Sequence, residues 1–191
     1  MSARRRFPRS SPPRTQRGSP PPRRETAPAN PAIANPVLLT TPRGVALGTL
    51  IAADGARRFA TDLLDERLRD SALSGRDRSL ATELVYGVVR RQATLATCLR
   101  PHLTRNWDDL EPGLRSLLSL GAYQLLLCDG IPAHAAVHET VGLAAVAGHP
   151  RWTGFANAVL RALSHAIQAE PGTQPARNAV PISDGRYRLL S

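Results

Sequence analysis

The stretch from Glu111 to Asp129, EPGLRSLLSLGAYQLLLCD, constrains the fold more than any other part of this 191-residue chain. In its first half the apolar residues share one helical face, while Arg115, Ser116 and Ser119 lie on the other. After Ser119 leucines and a tyrosine also occupy the second face, and Gln124 is the only strongly polar side chain left. A helix that is apolar nearly all round must be surrounded by protein. We therefore predict a central helix with neighbours from both sides of it in sequence.

Helical blocks separated by short polar breaks make up the chain from Thr41 onward, and they predict an all-α domain. Pro101 is expected to end or kink its helix near Leu99, and Trp107 to lie partly buried under the loop that follows. The sequence thus predicts a compact bundle of about seven helices within a domain at 43–170. The predicted helices cover residues 42–53, 58–70, 76–92, 93–103, 111–129, 133–147 and 152–169.

The positive charge is concentrated at the amino end. The net charge of +10 comes from 25 basic residues, all arginine, against 15 acidic ones. Residues 1–42 carry eight arginines and one glutamate, whereas residues 43–170 carry 14 arginines and 13 acidic residues. With ten prolines and no apolar periodicity, residues 1–42 are predicted to be a disordered arm that either attracts phosphate nonspecifically or only aids solubility. Residues 171–191 form a tail without a usable pattern.

The composition also indicates a compartment. Cys98 and Cys128 are the only cysteines, and both lie in apolar helical contexts, which is typical of reduced, buried thiols. No segment reaches the roughly 18 to 20 apolar residues that span a bilayer, and the amino end does not resemble a signal peptide. A transit peptide shares the Arg-rich composition of the arm, but the prolines oppose an amphipathic helix there. We expect a soluble, cytoplasmic protein without membrane contact.

Catalytic and metal-binding motifs are missing from the sequence. There is no glycine-rich phosphate loop, GxSxG, HExxH or CxxC. His134 and His138 lie four residues apart, but a zinc site needs three or four ligands, and their helical face is otherwise apolar. We therefore expect no enzyme activity, no catalytic residue, no metal and no cofactor.

Two polar helix faces are compatible either with RNA binding or with simple solvation. On the last helix Asn157 and Arg161 lie one turn apart, opposite an aromatic stripe. On the third helix Tyr86 has arginine neighbours such as Arg76 and Arg90. Arginine binds phosphate and stacks on bases, so an exposed aromatic among arginines is a plausible RNA surface.

Three segments resemble the NusB family: RDRSLATELVYGVVRR (76–91), LEPGLRSLLSLGAYQLLLCDGIPAHAAVHETVGLA (110–144) and GFANAVLR (154–161). They are most similar to the NusB-like amino-terminal domain of ribosomal RNA cytosine methyltransferases. The resemblance spans about residues 43–169 and implies a compact helical RNA-binding domain. In NusB this fold binds the boxA element of ribosomal RNA transcripts together with a ribosomal protein acting as NusE. Nothing in the chain resembles the methyltransferase catalytic domain.

The resemblance implies RNA contacts at some positions, whereas at other positions this chain lacks the residues that the family usually has. His138, Gly142 and Ala145 replace an Asn, a Glu and a Lys that the family usually has, so that part of the surface is altered. The match to the FANAVLR motif implies RNA contact for Asn157 and Arg161. The family's amino-terminal helix, which contributes to RNA contact, implies the same for Arg43. Charge alone adds four more candidates. The predicted RNA-binding residues are thus Arg43, Arg57, Arg76, Arg78, Arg115, Asn157 and Arg161.

Three functions remain open from sequence. The leading one is an RNA-binding protein of the NusB type that acts on ribosomal RNA transcripts, either in transcription antitermination or in ribosomal RNA handling. Its partners would be boxA-like or ribosomal RNA and a NusE-type ribosomal protein. The second is a detached RNA-binding domain or subunit of a ribosomal RNA 5-methylcytosine methyltransferase, with a separate catalytic chain as partner. The third is a helical protein-interaction domain without RNA binding.

Overall fold

The described part of the chain is an all-α domain with a small hairpin, which confirms the predicted fold class. The computed structural model describes residues 35–55, 58–168, 172, 174, 176, 178–182 and 186–191. None of its helices is long and apolar enough to cross a membrane. Within these residues the helices are α1 (Pro42–Gly55), α2 (Ala60–Asp70), α3 (Gly75–Leu99), α4 (Pro112–Leu127), α5 (Ala133–Val146) and α6 (Trp152–Ala166). Short 3-10 turns cover Pro36–Thr40, Arg100–His102 and Trp107–Asp109, and two strands, β1 (Ala179–Pro181) and β2 (Tyr187–Leu189), follow α6.

Helix α4 is the centre of the bundle, as its apolar circumference predicts. It packs against α1, α3, α5 and α6, and Leu117, Leu118 and Leu120 are fully buried. Gly121 lets α6 come close, because a Cβ added there would lie only 2.5 Å from Leu160 Cδ1. The core is therefore built around α4 on all sides.

The predicted division between a third and a fourth helix is wrong. Residues 75–99 form one helix of 25 residues, so the described bundle has one helix fewer than predicted. No proline or glycine interrupts residues 88–99, and Leu95 and Leu99 continue the buried face of Leu84 and Val88. The helix ends at Leu99, where Pro101 predicts its end, and Trp107 is more deeply buried than predicted, at 7% exposure.

The folded part begins before the predicted boundary at residue 43. Asn35 caps the first 3-10 turn by accepting from the Val37 amide at 3.0 Å, and its side-chain amide donates to the Val146 carbonyl of α5. Leu38 in this turn is fully buried against α1. The predicted arm is thus too long by at least residues 35–42, while residues 1–34 lie outside the described part of the chain.

A hairpin at the carboxyl end ties α4 and α6 together, although the sequence showed no usable pattern there. Strands β1 and β2 pair antiparallel, and Val180 is buried. The Ser191 amide donates to the Ala166 carbonyl of α6 at 2.8 Å. Arg188 of β2 pairs with Asp129 at 2.5 Å and donates through Nε to the Leu126 carbonyl at 3.4 Å. The hairpin therefore satisfies carbonyl groups at the ends of two helices.

Candidate nucleic-acid interface

Asn157 and Arg161 lie one turn apart on α6, as their spacing predicts. The buried side of α6 carries Trp152 and Leu160, among others. Arg161 is exposed and Asn157 half-buried. Within the described part of the chain, Arg161 has neither an ion-pair nor a hydrogen-bond partner. Its guanidinium is thus available to an external anion.

Phe155 of the same helix is half-buried and packs against the core. The guanidinium carbon of Arg105 lies 4.8 Å from the centre of its ring. Such a contact is a cation–π interaction, and it brings a second arginine to α6 from the loop after α3. Sequence reasoning missed Arg105 because the loop and the helix are far apart in sequence.

Arg43 lies in the first turn of α1 and is half-buried rather than fully exposed. Its Nε donates to Gln124 Oε1 at 2.6 Å. The Gln124 amide nitrogen in turn donates to Thr140 Oγ1 and to the Leu120 carbonyl, both at 3.0 Å. Since Gln124 and Thr140 are fully buried, Arg43 completes a polar chain that links α1, α4 and α5.

Arg115 lies at the other end of the same helix pair. It forms an ion pair with Asp54, the penultimate residue of α1, at 3.8 Å. Because α1 and α4 are antiparallel, Arg43 and Arg115 stand at opposite ends of the pair, roughly 16 Å apart at 1.5 Å per residue. These two candidates cannot hold the same phosphate. Arg57 lies outside the described residues.

Arg76 and Arg78 occupy the first turn of α3 but have different surroundings. Arg76 is exposed and has no partner in the described part of the chain. Arg78 is half-buried and donates to the Leu68 carbonyl in the last turn of α2, where Ser71 also donates. Arg78 therefore stabilises the corner between α2 and α3, whereas Arg76 is free to bind an anion.

A groove between α3 and α4 gathers aromatic and basic side chains that sequence reasoning assembled only in part. Tyr86 is 45% exposed on its α3 wall, and Arg90 and Arg91 follow one turn later. Tyr123 contributes from α4. The groove has a volume of about 370 Å³. The spacing of Tyr86 and Arg90 signalled one wall, but nothing in the sequence placed Tyr123 opposite them.

Gly87 explains how Tyr123 reaches this position. A Cβ on Gly87 would lie 2.0 Å from Tyr123 Cζ, so the tyrosine ring rests directly on the backbone of α3. Burial raises the pKa of Tyr123, to which nearby Cys128 and Glu83 also contribute. The phenol is therefore a neutral hydrogen-bond donor at physiological pH.

Glu83 lines the end of this groove away from the arginines, and Cys128 lies beside it. The thiol faces the Glu83 carboxylate at 3.9 Å. Burial raises the pKa of Cys128 to about 12, and the negative charge of Glu83 adds to the effect. The thiol is thus protonated and unreactive at neutral pH.

The ion pairs of the domain divide its arginines into paired and free groups. Arginine–carboxylate pairs join Arg58 to Glu66, Arg100 to Asp108, Arg115 to Asp54, Arg151 to Glu111 and Arg188 to Asp129. Among the described residues, Arg76, Arg90, Arg91, Arg105 and Arg161 have neither an ion pair nor a hydrogen bond. Apart from Arg105, which lies on the Phe155 ring of α6, these arginines belong to α3 and α6, two helices that contact each other.

The described residues hold no group of three or more His, Cys, Asp or Glu side chains that could bind a metal ion. His134 and His138 are both exposed on α5. The polar surfaces of this domain thus offer hydrogen bonds and positive charge.

Comparison with known proteins shows what this arrangement resembles. The model of the NusB family matches residues 40–165. The probable ribosomal RNA small subunit methyltransferase B of Bacillus subtilis is 34% identical over 124 residues, which are 65% of this chain but only 28% of that protein. The transcription antitermination protein NusB of Thiobacillus denitrificans is 33% identical over 100 residues, covering 52% of this chain and 69% of that one. A crystal structure of antitermination factors NusB and NusE in complex with double-stranded RNA shares the fold, with a TM-score of 0.59, 23% identity and coverage of 65% and 94%.

Proposed function

Because the chain belongs to the NusB family, we propose that it is an RNA-binding protein that acts on ribosomal RNA transcripts in transcription antitermination. The observation that carries this proposal is the set of free arginines on α3 and α6, in a fold whose solved relative is bound to RNA. The domain is nearly neutral in sum, so these unpaired charges are its means of attracting phosphate.

The mechanism we propose is positioning without a covalent step. Arg161 and Arg76 neutralise phosphates, and the half-buried amide of Asn157 adds a hydrogen bond beside Arg161. Arg43 uses its Nε on Gln124, which leaves its two terminal nitrogens for a phosphate at the start of α1. Arg57 and Arg115 are weaker candidates, and the hydrogen bond of Arg78 to α2 makes it a poor one.

The proposed partners are boxA-like or ribosomal RNA and a NusE-type ribosomal protein, in the cytoplasm. The solved NusB–NusE–RNA complex supports both kinds of partner for this fold. In the proposed division of the chain, residues 1–34 are an arginine-rich arm that adds nonspecific attraction to the domain.

A second function has specific support from the relatives. The chain matches only 28% of the length of the Bacillus methyltransferase. A domain that delivers ribosomal RNA to a methyltransferase catalytic chain is therefore the alternative. In that case the partner is the catalytic chain rather than a NusE-type protein.

The test is RNA binding at several salt concentrations, with a boxA-type single strand and a ribosomal RNA hairpin. The full chain is compared with a chain that lacks residues 1–34 but keeps Asn35, since deletion to residue 42 would remove buried Leu38. Each domain arginine that holds a phosphate should contribute about 0.7 to the slope of log K against log salt on a single strand. Arg161→Ala should lower that slope, while Arg69→Ala on α2 should not. If the chain without the arm binds neither RNA, the proposed function fails.

The same samples separate the two functions. Preference for the boxA-type strand, strengthened by a NusE-type ribosomal protein, supports antitermination. Preference for the ribosomal RNA hairpin, together with stimulation of a separate methyltransferase catalytic chain, supports the alternative.

A further inference from the structure

We propose that the groove between α3 and α4 binds one unpaired RNA nucleotide, with its base against Tyr86 and Tyr123 and its phosphate on Arg90 and Arg91. This inference rests on the proposed RNA-binding function. It adds a site that is separate from Asn157 and Arg161 on α6, and it specifies the kind of RNA that the domain takes.

The first argument is the order of chemistry along α3. Glu83, Tyr86 and Arg90 follow at intervals of three and four residues, so they share one face of the helix. The distance from Glu83 to Arg90 along the axis is roughly 10 Å at 1.5 Å per residue. A hydrogen-bond acceptor, an aromatic ring and a positive charge thus lie along one helix face, over a length similar to that of one nucleotide.

The second argument is that the arginines and the tyrosines of the groove are available to a ligand. In the part of the chain that the structure describes, Arg90, Arg91 and the Tyr123 hydroxyl have no hydrogen-bond or ion-pair partner. Tyr86 is 45% exposed although it is a large aromatic residue. Unpaired arginines beside an exposed aromatic ring are the combination that single-stranded nucleic acid binds by stacking and charge.

The third argument concerns the size and charge of the groove. Its volume of about 370 Å³ lies at the small end of the range of ligand sites. Asp129 lines the groove, but Arg188 neutralises it at 2.5 Å. Glu83 remains as the acidic group at one end, opposite the two arginines, which leaves the groove with a net positive charge.

Glu83 gives the site a preference among bases. A carboxylate accepts hydrogen bonds from the exocyclic amino group of cytosine, as it does in base-specific contacts. Uracil has a carbonyl oxygen at that position, which a carboxylate repels. The structure therefore favours cytidine over uridine when the phosphate lies on the arginines and the base reaches towards Glu83.

The experiment measures binding of the full-length protein to fluorescently labelled oligocytidine and oligouridine of equal length. Tyr86→Ala should weaken oligocytidine binding about fivefold or more, the usual effect of losing one stacking residue. Val89→Ala is the matched control, because Val89 is 51% exposed on the same helix but lines a different groove. The double variant Arg90→Ala/Arg91→Ala should lower the salt slope by about 0.7, because the two arginines hold one phosphate, unlike Arg69→Ala.

The base preference is tested in the same assay. Glu83→Ala should reduce the ratio of oligocytidine to oligouridine affinity, whereas Glu139→Ala on α5 should leave that ratio unchanged. Thermal melting of each variant checks that the fold is intact.

The outcomes distinguish this site from the proposed function. If the wild-type protein binds no RNA, both are overturned. If it binds RNA and Arg161→Ala weakens binding, but Tyr86→Ala behaves like Val89→Ala, the groove is not a nucleotide site and the function stands. An unchanged oligocytidine preference in Glu83→Ala overturns the proposed orientation of the base.

Discussion

Arg43→Met is the substitution that most directly tests how the polar chain in the core works. The side chain of Met keeps much of the volume of the arginine stem but cannot donate to Gln124 Oε1, which Arg43 contacts at 2.6 Å. Gln124 is fully buried, and its amide nitrogen is already engaged with Thr140 and Leu120. The substitution therefore leaves a buried acceptor without a partner.

The cost follows from that geometry. A buried polar group left unsatisfied costs about 1–3 kcal/mol of the free energy of unfolding. For a chain of this length about 1 kcal/mol corresponds to roughly 2–4 °C in Tm. We expect Arg43→Met to lower Tm by roughly 4–8 °C, from a loss of about 2 kcal/mol.

Urea and thermal denaturation followed by circular dichroism measure this loss. Arg161→Met is the control, because Arg161 is exposed without a partner in the described part of the chain, and such substitutions change stability little. In the double variant with Gln124→Leu, the Arg43→Met substitution should cost much less, since no unpaired acceptor remains. If Arg43→Met melts with the wild type while RNA affinity falls, the hydrogen bond contributes nothing and Arg43 acts on RNA alone.

Three further predictions address α4 and its neighbours. Leu118→Asp should abolish cooperative melting, because Leu118 is fully buried and an unpaired charge there is very costly; retained cooperativity would show that the core is assigned wrongly. Gly87→Ala should lower Tm in the wild type, because the added Cβ would lie 2.0 Å from Tyr123. In a Tyr123→Ala background the same substitution should raise Tm, because alanine favours the helix more than glycine does. Cys128, whose pKa is raised to about 12, should resist iodoacetamide at pH 9 in the folded protein and react in urea, as mass spectrometry of its peptide would reveal; rapid labelling of the folded protein contradicts this.

The central helix was predictable because its evidence lies within one segment. Leucines on every side of 114–127 require neighbours whatever those neighbours are. The end of α3 at Leu99 was predictable for a similar reason, since Pro101 acts on the residues next to it. The continuity of α3 through residue 92 was missed because a polar stretch, Arg90 to Gln92, looks like a break when the buried face beyond it is not known.

Features that depend on distant contacts could not be read from the sequence. The role of Arg43 depends on Gln124, which is 81 residues away. The hairpin is joined to α4 and α6 by Arg188 and Ser191, whose partners are far away in sequence, although the sequence has at Asp184 and Gly185 a dipeptide typical of turns. In both cases a residue's partner, rather than its type, decides what it does.

The same principle decides how a domain with almost no net charge can present positive faces, as the proposed RNA binding requires. Among the described residues, acidic side chains pair with particular arginines, such as Arg58, Arg151 and Arg188, and neutralise them in place. The charges that remain are on arginines that form no ion pair with a carboxylate, such as Arg90 and Arg91 beside Tyr86. The net charge does not report how many arginines are paired or unpaired, because each ion pair contributes zero to it. The positive charge available to the proposed RNA partner is thus set by the placement of the acids, which leaves unpaired arginines on α3 and α6.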